Sequence, residues 1–146
     1  KVPSLKMEEN KKEIEMKKEL YLVSPVGTHL IIDLYDCRCD FLDNSEKIQN
    51  LLIEVAKISN TTILSVKVHK FTPMGVSGYV LISESHISIH TWPEFNYASV
   101  DIYTCGDNSL PTKGFECIVE KLNSQKPTIL KLERGLYAKK FKHDYG

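Results

Sequence analysis

The sequence predicts an α+β fold, a two-layer sandwich in which helices cover one face of an antiparallel sheet. Six short segments carry the alternating or β-branched pattern of strands, and two longer segments carry apolar residues at helical spacing. Their order is β-α-β-β-β-β-α-β, and strands that follow one another in a run favour antiparallel pairing. The second face of the sheet is then left uncovered, which favours dimerisation or burial against another partner.

The first strand and first helix are marked by different periods. Leu30, Ile32 and Leu34 alternate with their neighbours and predict a strand with one buried face. The segment Asp43-Asn44-Ser45 supplies N-cap residues for a helix, and Asn60 ends that helix. Its predicted buried face consists of Ile48, Leu51, Leu52, Val55 and Ile58.

The later elements are separated by short breaks. Residues 62–71 are rich in β-branched side chains and predict the second strand, which Pro73-Met74-Gly75 interrupts. Pro111 lies where the first turn of the second helix is expected. That helix is predicted to turn Phe115, Ile118, Val119 and Leu122 inward, and the remaining strands are predicted at 78–83, 86–90, 98–104 and 128–132.

The first 20 residues differ from the rest of the chain. They hold six lysines and five glutamates, with apolar residues too scattered to form a wide stripe. This composition predicts a charged extension over residues 1–20, either a tail or a solvated helix, whereas residues 21–146 form one domain.

Composition excludes several classes of protein. Nineteen basic and nineteen acidic residues give a formal net charge of zero, so the basic excess of a nucleic-acid binder is absent. No apolar run exceeds four residues, against roughly 20 for a membrane span. The four cysteines have no CxxC spacing, and a chain of this size needs no disulfide framework. We therefore expect a cytoplasmic protein that binds neither nucleic acid nor membrane.

The stretch from Ser83 to Glu94 is unusually polar for its position between two predicted strands. It holds three serines, two histidines and two glutamates in twelve residues. A solvent-facing strand would explain it, whereas a metal site formed by His86, His90 and Glu94 is disfavoured. Residues four apart in a strand stand about 13 Å apart, which is too far for one ion, so no metal is expected.

Nucleophilic chemistry is the third interpretation of this stretch. A serine hydroxyl becomes reactive beside a base, and histidine is the usual base. However, the chain has no Gly-x-Ser-x-Gly elbow to raise a serine from a strand end, so a hydrolase triad is weakly supported.

Several blocks of residues together resemble one known family over about residues 26–137. They are Gly27-Thr28-His29, His69-Lys70-Phe71, Gly75-Val76-Ser77-Gly78, Glu84-Ser85-His86, His90-Thr91-Trp92-Pro93-Glu94, Asp101-Ile102-Tyr103-Thr104-Cys105-Gly106 and Glu133-Arg134-Gly135. In these blocks and their spacing the chain resembles the prokaryotic S-adenosylmethionine decarboxylases, which are pyruvoyl-dependent and process themselves.

The resemblance implies self-cleavage between Glu84 and Ser85. The Ser85 hydroxyl would attack the Glu84 carbonyl carbon and convert the amide into an ester. β-Elimination would then give dehydroalanine, and its hydrolysis would leave a covalent pyruvoyl group at residue 85. The chains would be 1–84 and 85–146. The resemblance assigns the elimination proton to His90 and stabilisation of the intermediate by hydrogen bonding to Ser77.

The remaining site residues also follow from the resemblance. The pyruvoyl carbonyl would form a Schiff base with the substrate amine, and Cys105 would return a proton to the substrate α-carbon. Phe71 would stack on adenine and Glu94 would accept hydrogen bonds from the ribose, with Trp92 and His86 lining the site. Asp36 either completes this pocket or is a solvated strand end. Cys37, Cys39 and Cys117 are interpreted as structural thiols.

The resemblance implies a decarboxylase that converts S-adenosylmethionine into the aminopropyl donor of spermidine synthesis. It also implies a homodimer of cleaved protomers with sites at or near the interface. A same-fold arginine or ornithine decarboxylase is the alternative, although Phe71 and Glu94 favour a nucleoside substrate. An inactive regulatory homologue is less favoured, because Ser85, His90 and Cys105 are all present.

Overall fold

The structure is a computed structural model that describes residues 7–15 and 25–136. Within 25–136 the elements follow in the predicted order, so the predicted α+β fold is confirmed. The strands are β1 (Gly27–Cys37), β2 (Thr62–Lys70), β3 (Val76–Ser83), β4 (Ser85–Trp92), β5 (Tyr97–Cys105) and β6 (Ser124–Arg134). The helices are α1 (Ser45–Ile58) and α2 (Pro111–Leu122), with a short 3-10 turn at Pro93–Phe95.

The six strands form one sheet in the order β2-β3-β4-β5-β1-β6. Strands β2 to β5 follow one another as an antiparallel meander, and β1 lies antiparallel to β5. This arrangement places β4 and β5 in the middle of the sheet, with β2 and β6 at its edges.

Helix α1 begins where the sequence predicts. The Asn44 side chain accepts a hydrogen bond from the Lys47 amide at 3.0 Å and so caps the first turn. The predicted apolar face is buried except for Ile58, which is 45% exposed, and Ala56 is buried instead. At about 100° per residue, Ile58 lies at the margin of the stripe that contains Leu52 and Val55, so the prediction for Ile58 is wrong.

Helix α2 also begins at its predicted proline, with Pro111 in the first turn. Ile118 and Leu122 are fully buried as predicted, whereas Phe115 and Val119 pack against the core while half-buried. Gly114 is buried as well, and a Cβ at this position would collide with the Ser59 hydroxyl. The missing side chain therefore lets α2 pack closely against the end of α1.

The two faces of the sheet differ in burial. One face packs against α1 and α2 and forms the core, whose largest fully buried strand residues are Leu30, Ile32, Leu34, Ile82, Ile87, Ile89 and Ile102. The alternate positions point the other way. There Ile31, Tyr79 and Leu81 are 39%, 43% and 45% exposed. We call this second side the uncovered face.

The chain divides into two compact units, and the elements from Gly27 to Leu132 form one of them. The other comprises residues 1–26 and 133–146. In its described parts, residues 7–15 form a helix with exposed side chains, and the Val26 amide donates to the Arg134 carbonyl at 2.9 Å. The rest of the predicted 1–20 extension lies outside the described residues. No helix in 7–15 or 25–136 is long and apolar enough to cross a membrane.

Candidate active site

Most of the predicted site residues lie on strands β3, β4 and β5 or at their ends. The register pairs Ser77 with His90, and it pairs Cys105 with Gly27 at the start of β1. Because side chains alternate along a strand, Ser77, His90 and Cys105 share the uncovered face of the sheet.

The first cluster is the serine–cysteine pair formed by Ser85 and Cys105. Ser85 Oγ lies 3.1 Å from Cys105 Sγ, which is hydrogen-bonding distance when sulfur takes part. Ser85 begins β4 directly after the turn that holds exposed Glu84, whereas Cys105 ends β5. The sheet therefore joins a hydroxyl and a thiol from positions twenty residues apart, beside the predicted cleavage bond.

Side chains from β1, β4 and β5 surround the serine–cysteine pair. A Cβ at Gly27 would lie 2.8 Å from Cys105 Sγ, so the thiol occupies space that only glycine leaves open. Further along the sheet, His29 Nε2 lies 2.8 Å from Asp101 Oδ1. The His86 ring packs edge-on against Tyr103, with ring centroids 5.9 Å apart. Predicted site residue His86 thus lies with the first cluster.

The second cluster is the Ser77–His90 pair, with Ser77 Oγ 2.7 Å from His90 Nδ1. This pair opens into a cleft of about 280 Å³. The remaining residues that line the cleft are Phe71, Met74, Gly75, Thr91, Trp92 and Glu94. The structure therefore brings five of the predicted residues together, with an aromatic wall, a carboxylate and a serine–histidine pair.

A second, wider cavity of about 450 Å³ continues from the Ser77–His90 pair across the uncovered face. Lys67, His69, Tyr79 and Ser88 complete its lining together with Gly78. The His69 ring also packs edge-on against the ring of Phe71, with centroids 4.6 Å apart. One continuous recess therefore runs from the cleft over strands β2, β3 and β4.

A row of aromatic rings extends from the other side of the cleft. Trp92 stacks on Tyr97, and Tyr97 stacks on Tyr35, each with ring centroids 5.2 Å apart. Both tyrosine hydroxyls donate to the carboxylate of Asp33. Burial, followed by the hydrogen bond to Asp33, raises the pKa of Tyr97 to about 12. The stacked tyrosines therefore hold the Trp92 ring in place, and Trp92 also lines the cleft.

The two clusters are well separated within one chain. Ser85 pairs with Ile82, whereas His90 pairs with Ser77 at the other end of the same hairpin. Five residues of strand at about 3.3 Å each place Ser85 and His90 about 16 Å apart. Ser85 and His90 are therefore close in sequence but not in contact within one chain.

The other cysteines lie away from both clusters. Cys37 and Cys117 are buried and Cys39 is half-buried, and all four thiols of the chain are free. The Cys37 thiol donates to the Leu34 carbonyl, and burial raises its pKa to about 11. Asp36, for which two roles were open, forms an exposed ion pair with Arg38 and lines neither cavity. Among the described residues, no group of three His, Cys, Asp or Glu side chains could hold a metal ion.

Sequence reasoning missed residues that the fold brings to the site. Met74 lines the cleft from within the predicted break, and the His29–Asp101 pair joins strands 72 residues apart in sequence. Gly27 and His29 belong to the motif Gly27-Thr28-His29, but the motif alone predicts no role for them. One signal could have identified these two residues. Both lie in a family motif at the start of a central strand, where one is small and the other is titratable.

Comparison with known proteins points to one family. The family model described as S-adenosylmethionine decarboxylase matches residues 28–135. S-adenosylmethionine decarboxylase proenzymes are among the relatives. That of Thermosipho africanus is 46% identical over 77% of this chain and 86% of its own, and that of Thermodesulfovibrio yellowstonii is 43% identical over 76% and 82%.

A solved structure agrees with these relatives. The crystal structure of the adenosylmethionine decarboxylase from Aquifex aeolicus matches with a TM-score of 0.72 and 41% sequence identity. The match covers 77% of this chain and 92% of that one. The sheet that carries both clusters is thus shared with proteins of one family across nearly their full length, and the chain belongs to the S-adenosylmethionine decarboxylase family.

Proposed function

We propose that this protein is a self-processing, pyruvoyl-dependent decarboxylase of S-adenosylmethionine, and that its product is the aminopropyl donor for spermidine synthesis. The observation that carries the proposal is the 3.1 Å contact between Ser85 Oγ and Cys105 Sγ. It joins the residue that would become the cofactor to the residue that would supply the proton. The relatives are named as proenzymes, which supports a chain made in uncut form.

Processing begins with the Ser85 hydroxyl. Oγ attacks the Glu84 carbonyl carbon, the C–N bond breaks, and the proton from Oγ passes to the freed nitrogen, which leaves an ester. Removal of the Ser85 α-proton then breaks the Cβ–Oγ bond and releases the Glu84 carboxylate. The dehydroalanine that remains takes up water and loses ammonia, which gives the pyruvoyl group. Glu84 lies exposed in the turn, where the new chain ends can separate.

The residues around Ser85 fit such a group. Ser85 is half-buried and its neighbour Cys105 carries a free thiol, so a ketone at residue 85 would have one wall of protein and one open side. When present, the pyruvoyl group supplies an electron sink for loss of carbon dioxide. Cys105 Sγ holds the proton that is returned to the substrate α-carbon. Gly27 leaves the space in which that sulfur sits.

The cleft supports recognition of a nucleoside. Phe71 and Trp92 offer aromatic faces to adenine and to the sulfonium charge. Glu94 is exposed in the same cleft, where its carboxylate can accept hydrogen bonds from two ribose hydroxyls. A free basic amino acid has neither adenine nor ribose, so these three residues favour S-adenosylmethionine over arginine or ornithine.

We further propose that the working form is a homodimer whose sites each draw on two chains. Within one chain the Ser77–His90 pair stands about 16 Å along β4 from Ser85, too far for His90 to take a proton there. The cleft also lies at the Ser77–His90 pair, and neither Ser85 nor Cys105 belongs to its lining. Both features are expected of half a site.

A second copy packed against the uncovered face would complete each site. Under two-fold symmetry, the Ser77–His90 pair of each copy can meet the serine–cysteine pair of the other, and the same contact occurs twice. Exposed apolar side chains on that face, among them Ile31, Tyr79 and Leu81, supply surface for the contact. The proposed dimer and the proposed roles of the site residues thus depend on one arrangement.

Complementation between two inactive variants tests this arrangement. Ser85→Ala and His90→Ala chains should each stay uncut alone. In a mixed dimer, the intact His90 of the first variant would serve the Ser85 of the second, so only the His90→Ala chain is cut. A matched control pairs His90→Ala with a chain that carries both substitutions, and this pair should stay uncut. Failure of the mixed dimer to cleave would refute the two-chain site.

Mass spectrometry and carbon dioxide release test the function itself. The intact protein should separate under denaturing conditions into residues 1–84 and 85–146, with a pyruvoyl group on the second chain. Cys105→Ala should be cut but should turn over poorly. Release of carbon dioxide from arginine or ornithine, and not from S-adenosylmethionine, would overturn the proposed substrate.

The state of the cysteines bears on location. All four thiols are free, which is typical of a reducing compartment. We therefore propose that the enzyme acts in the cytoplasm.

A further inference from the structure

Two neighbouring residues before helix α1, Leu42 and Asp43, touch both walls of the cleft from behind. One wall is the turn from Phe71 to Gly75, which carries Phe71 and Met74. The other is the end of β4 and the following turn, which carries His90, Trp92 and Glu94. Leu42 and Asp43 line neither wall themselves, so any effect they have on the cleft is indirect.

Asp43 holds the first wall. Its Oδ1 accepts a hydrogen bond from the Gly75 amide at 2.7 Å and lies 3.0 Å from Lys70 Nζ. Lys70 Nζ also donates to the Phe71 carbonyl at 2.8 Å, and the Phe71 amide donates to the Gly75 carbonyl at 2.8 Å. Both ends of the turn that presents Phe71 are thus tied to a single carboxylate.

Leu42 is linked to the second wall by a hydrogen bond from Thr91. The Thr91 hydroxyl, which is buried, donates to the Leu42 carbonyl at 2.7 Å and accepts from the Val76 amide at 2.9 Å. Since Thr91 points into the core, its neighbours on β4, His90 and Trp92, point outward into the cleft. The peptide segment 42–43 therefore links the two walls from behind, in addition to the direct pairing of β3 with β4.

We propose that Asp43 is a positioning residue that sets the affinity of the cleft for the nucleoside part of the substrate. The inference rests on the proposed function, because it takes the cleft as the nucleoside site. A carboxylate accepting from a backbone amide forms a stronger hydrogen bond than a neutral acceptor does. The Gly75 amide, followed by Lys70, lowers the pKa of Asp43, which agrees with a carboxylate held in its charged form.

Asp43 should act on binding and leave processing intact. The Ser77–His90 pair is fixed by its own 2.7 Å contact and by the register of β3 and β4, neither of which involves Asp43. Loss of the carboxylate frees the turn that carries Phe71 but does not move the strands. A residue needed merely for stability would instead lower cleavage, turnover and affinity together.

The test measures nucleoside affinity directly. Trp92 is the only tryptophan of the chain and lines the cleft, so its fluorescence can report binding of 5′-methylthioadenosine, a nucleoside without the amino acid part. For Asp43→Ala we expect Kd for this probe and KM for S-adenosylmethionine to rise about tenfold, with kcat within about twofold and cleavage complete. Asp40→Ala is the matched control, since Asp40 is exposed in the same loop, and it should match the wild-type protein.

If Asp43→Ala fails to fold, Asp43→Asn tests whether Asp43 sets the affinity for the nucleoside. The amide oxygen can still accept from Gly75 but no longer pairs with Lys70, so a smaller rise of about threefold in Kd is expected. An unchanged Kd in Asp43→Ala, or in Asp43→Asn where that variant must decide, overturns the inference, as does a joint fall in cleavage and kcat. If the wild-type protein neither binds the probe nor releases carbon dioxide, the proposed function falls, and the inference falls with it.

Discussion

Replacement of Gly27 by alanine should separate the role of the Cys105 thiol from general stability. A Cβ at residue 27 would lie 2.8 Å from Cys105 Sγ, 2.8 Å from the Thr104 carbonyl oxygen and 2.9 Å from Tyr103 Cε2. Nonbonded heavy atoms rest at about 3.5–4.0 Å. The Thr104 oxygen belongs to the strand backbone, so the start of β1 and the end of β5 must shift apart, and the thiol and the tyrosine ring must also move, by about 1 Å.

The size of the effect follows from that displacement. Overpacking of this kind costs about 1–3 kcal/mol of stability, which corresponds to a fall in Tm of about 4–12 °C. A reacting group misplaced by about 1 Å can lose about 100-fold in rate. We therefore expect kcat for decarboxylation to fall about 100-fold in Gly27→Ala, well beyond what the loss of stability explains at 25 °C.

A matched variant isolates the cause. Gly114→Ala creates a comparable collision in the core, against the Ser59 hydroxyl and the side chains of Val55 and Ile102, away from both clusters. It should lower Tm but leave kcat unchanged in the folded fraction. In a Cys105→Ala background, Gly27→Ala should cost much less activity than it does in the wild-type protein, since the sulfur that it displaces is already gone and only the contacts with Thr104 and Tyr103 remain. Equal losses of kcat in Gly27→Ala and Gly114→Ala would refute the reasoning.

Three further variants test other parts of the structure. Phe71→Ala should raise KM about tenfold through lost stacking, whereas Phe95→Ala, which removes an exposed ring outside the cleft, should leave KM unchanged. Cys37→Ala should flatten the fall of Tm between pH 9 and pH 11. The folded pKa of Cys37, about 11, lies above its ordinary value of 9.0, so its stabilising effect is complete below pH 9 and is lost as the pH rises. Ser59→Ala should raise the free energy of unfolding by about 1 kcal/mol, measured by urea denaturation, because Ser59 Oγ is buried with no hydrogen-bond partner in the described residues; a destabilised variant would contradict this.

Local sequence patterns predicted the helices and strands correctly, but they did not predict the edges of the buried faces or the ends of the strands. The alternation around Leu30 and the N-cap at Asn44 depend on neighbours in sequence, and both are as predicted. The spacing of Ile58 predicts a buried position, yet the residue lies at the edge of the stripe and is exposed. The last strand was predicted over five residues but extends from Ser124 to Arg134. The width of a buried stripe and the length of an edge strand depend on what packs nearby.

The arrangement of the site needed information that no local pattern holds. Ser85 and His90 are five residues apart and resemble one catalytic group, but an extended strand separates them. Conversely, Asp43 and Gly75 meet across 32 residues, and His29 and Asp101 meet across 72. Such pairs follow from the strand order, in particular from the return of β1 beside β5, which spacing along the chain does not reveal.

The separation of the two clusters also bears on when the cofactor can form. If the Ser77–His90 pair of one copy must serve the Ser85 of another, a lone chain cannot complete processing, and cleavage requires the dimer first. The same His90 borders the cleft that would bind the nucleoside, so the contact that permits cleavage also assembles the substrate site. A reactive ketone would therefore arise only where its substrate site is already complete. Cleavage should then slow as the chain is diluted below the dissociation constant of the dimer, whereas cleavage within a single chain would proceed at the same rate at every concentration.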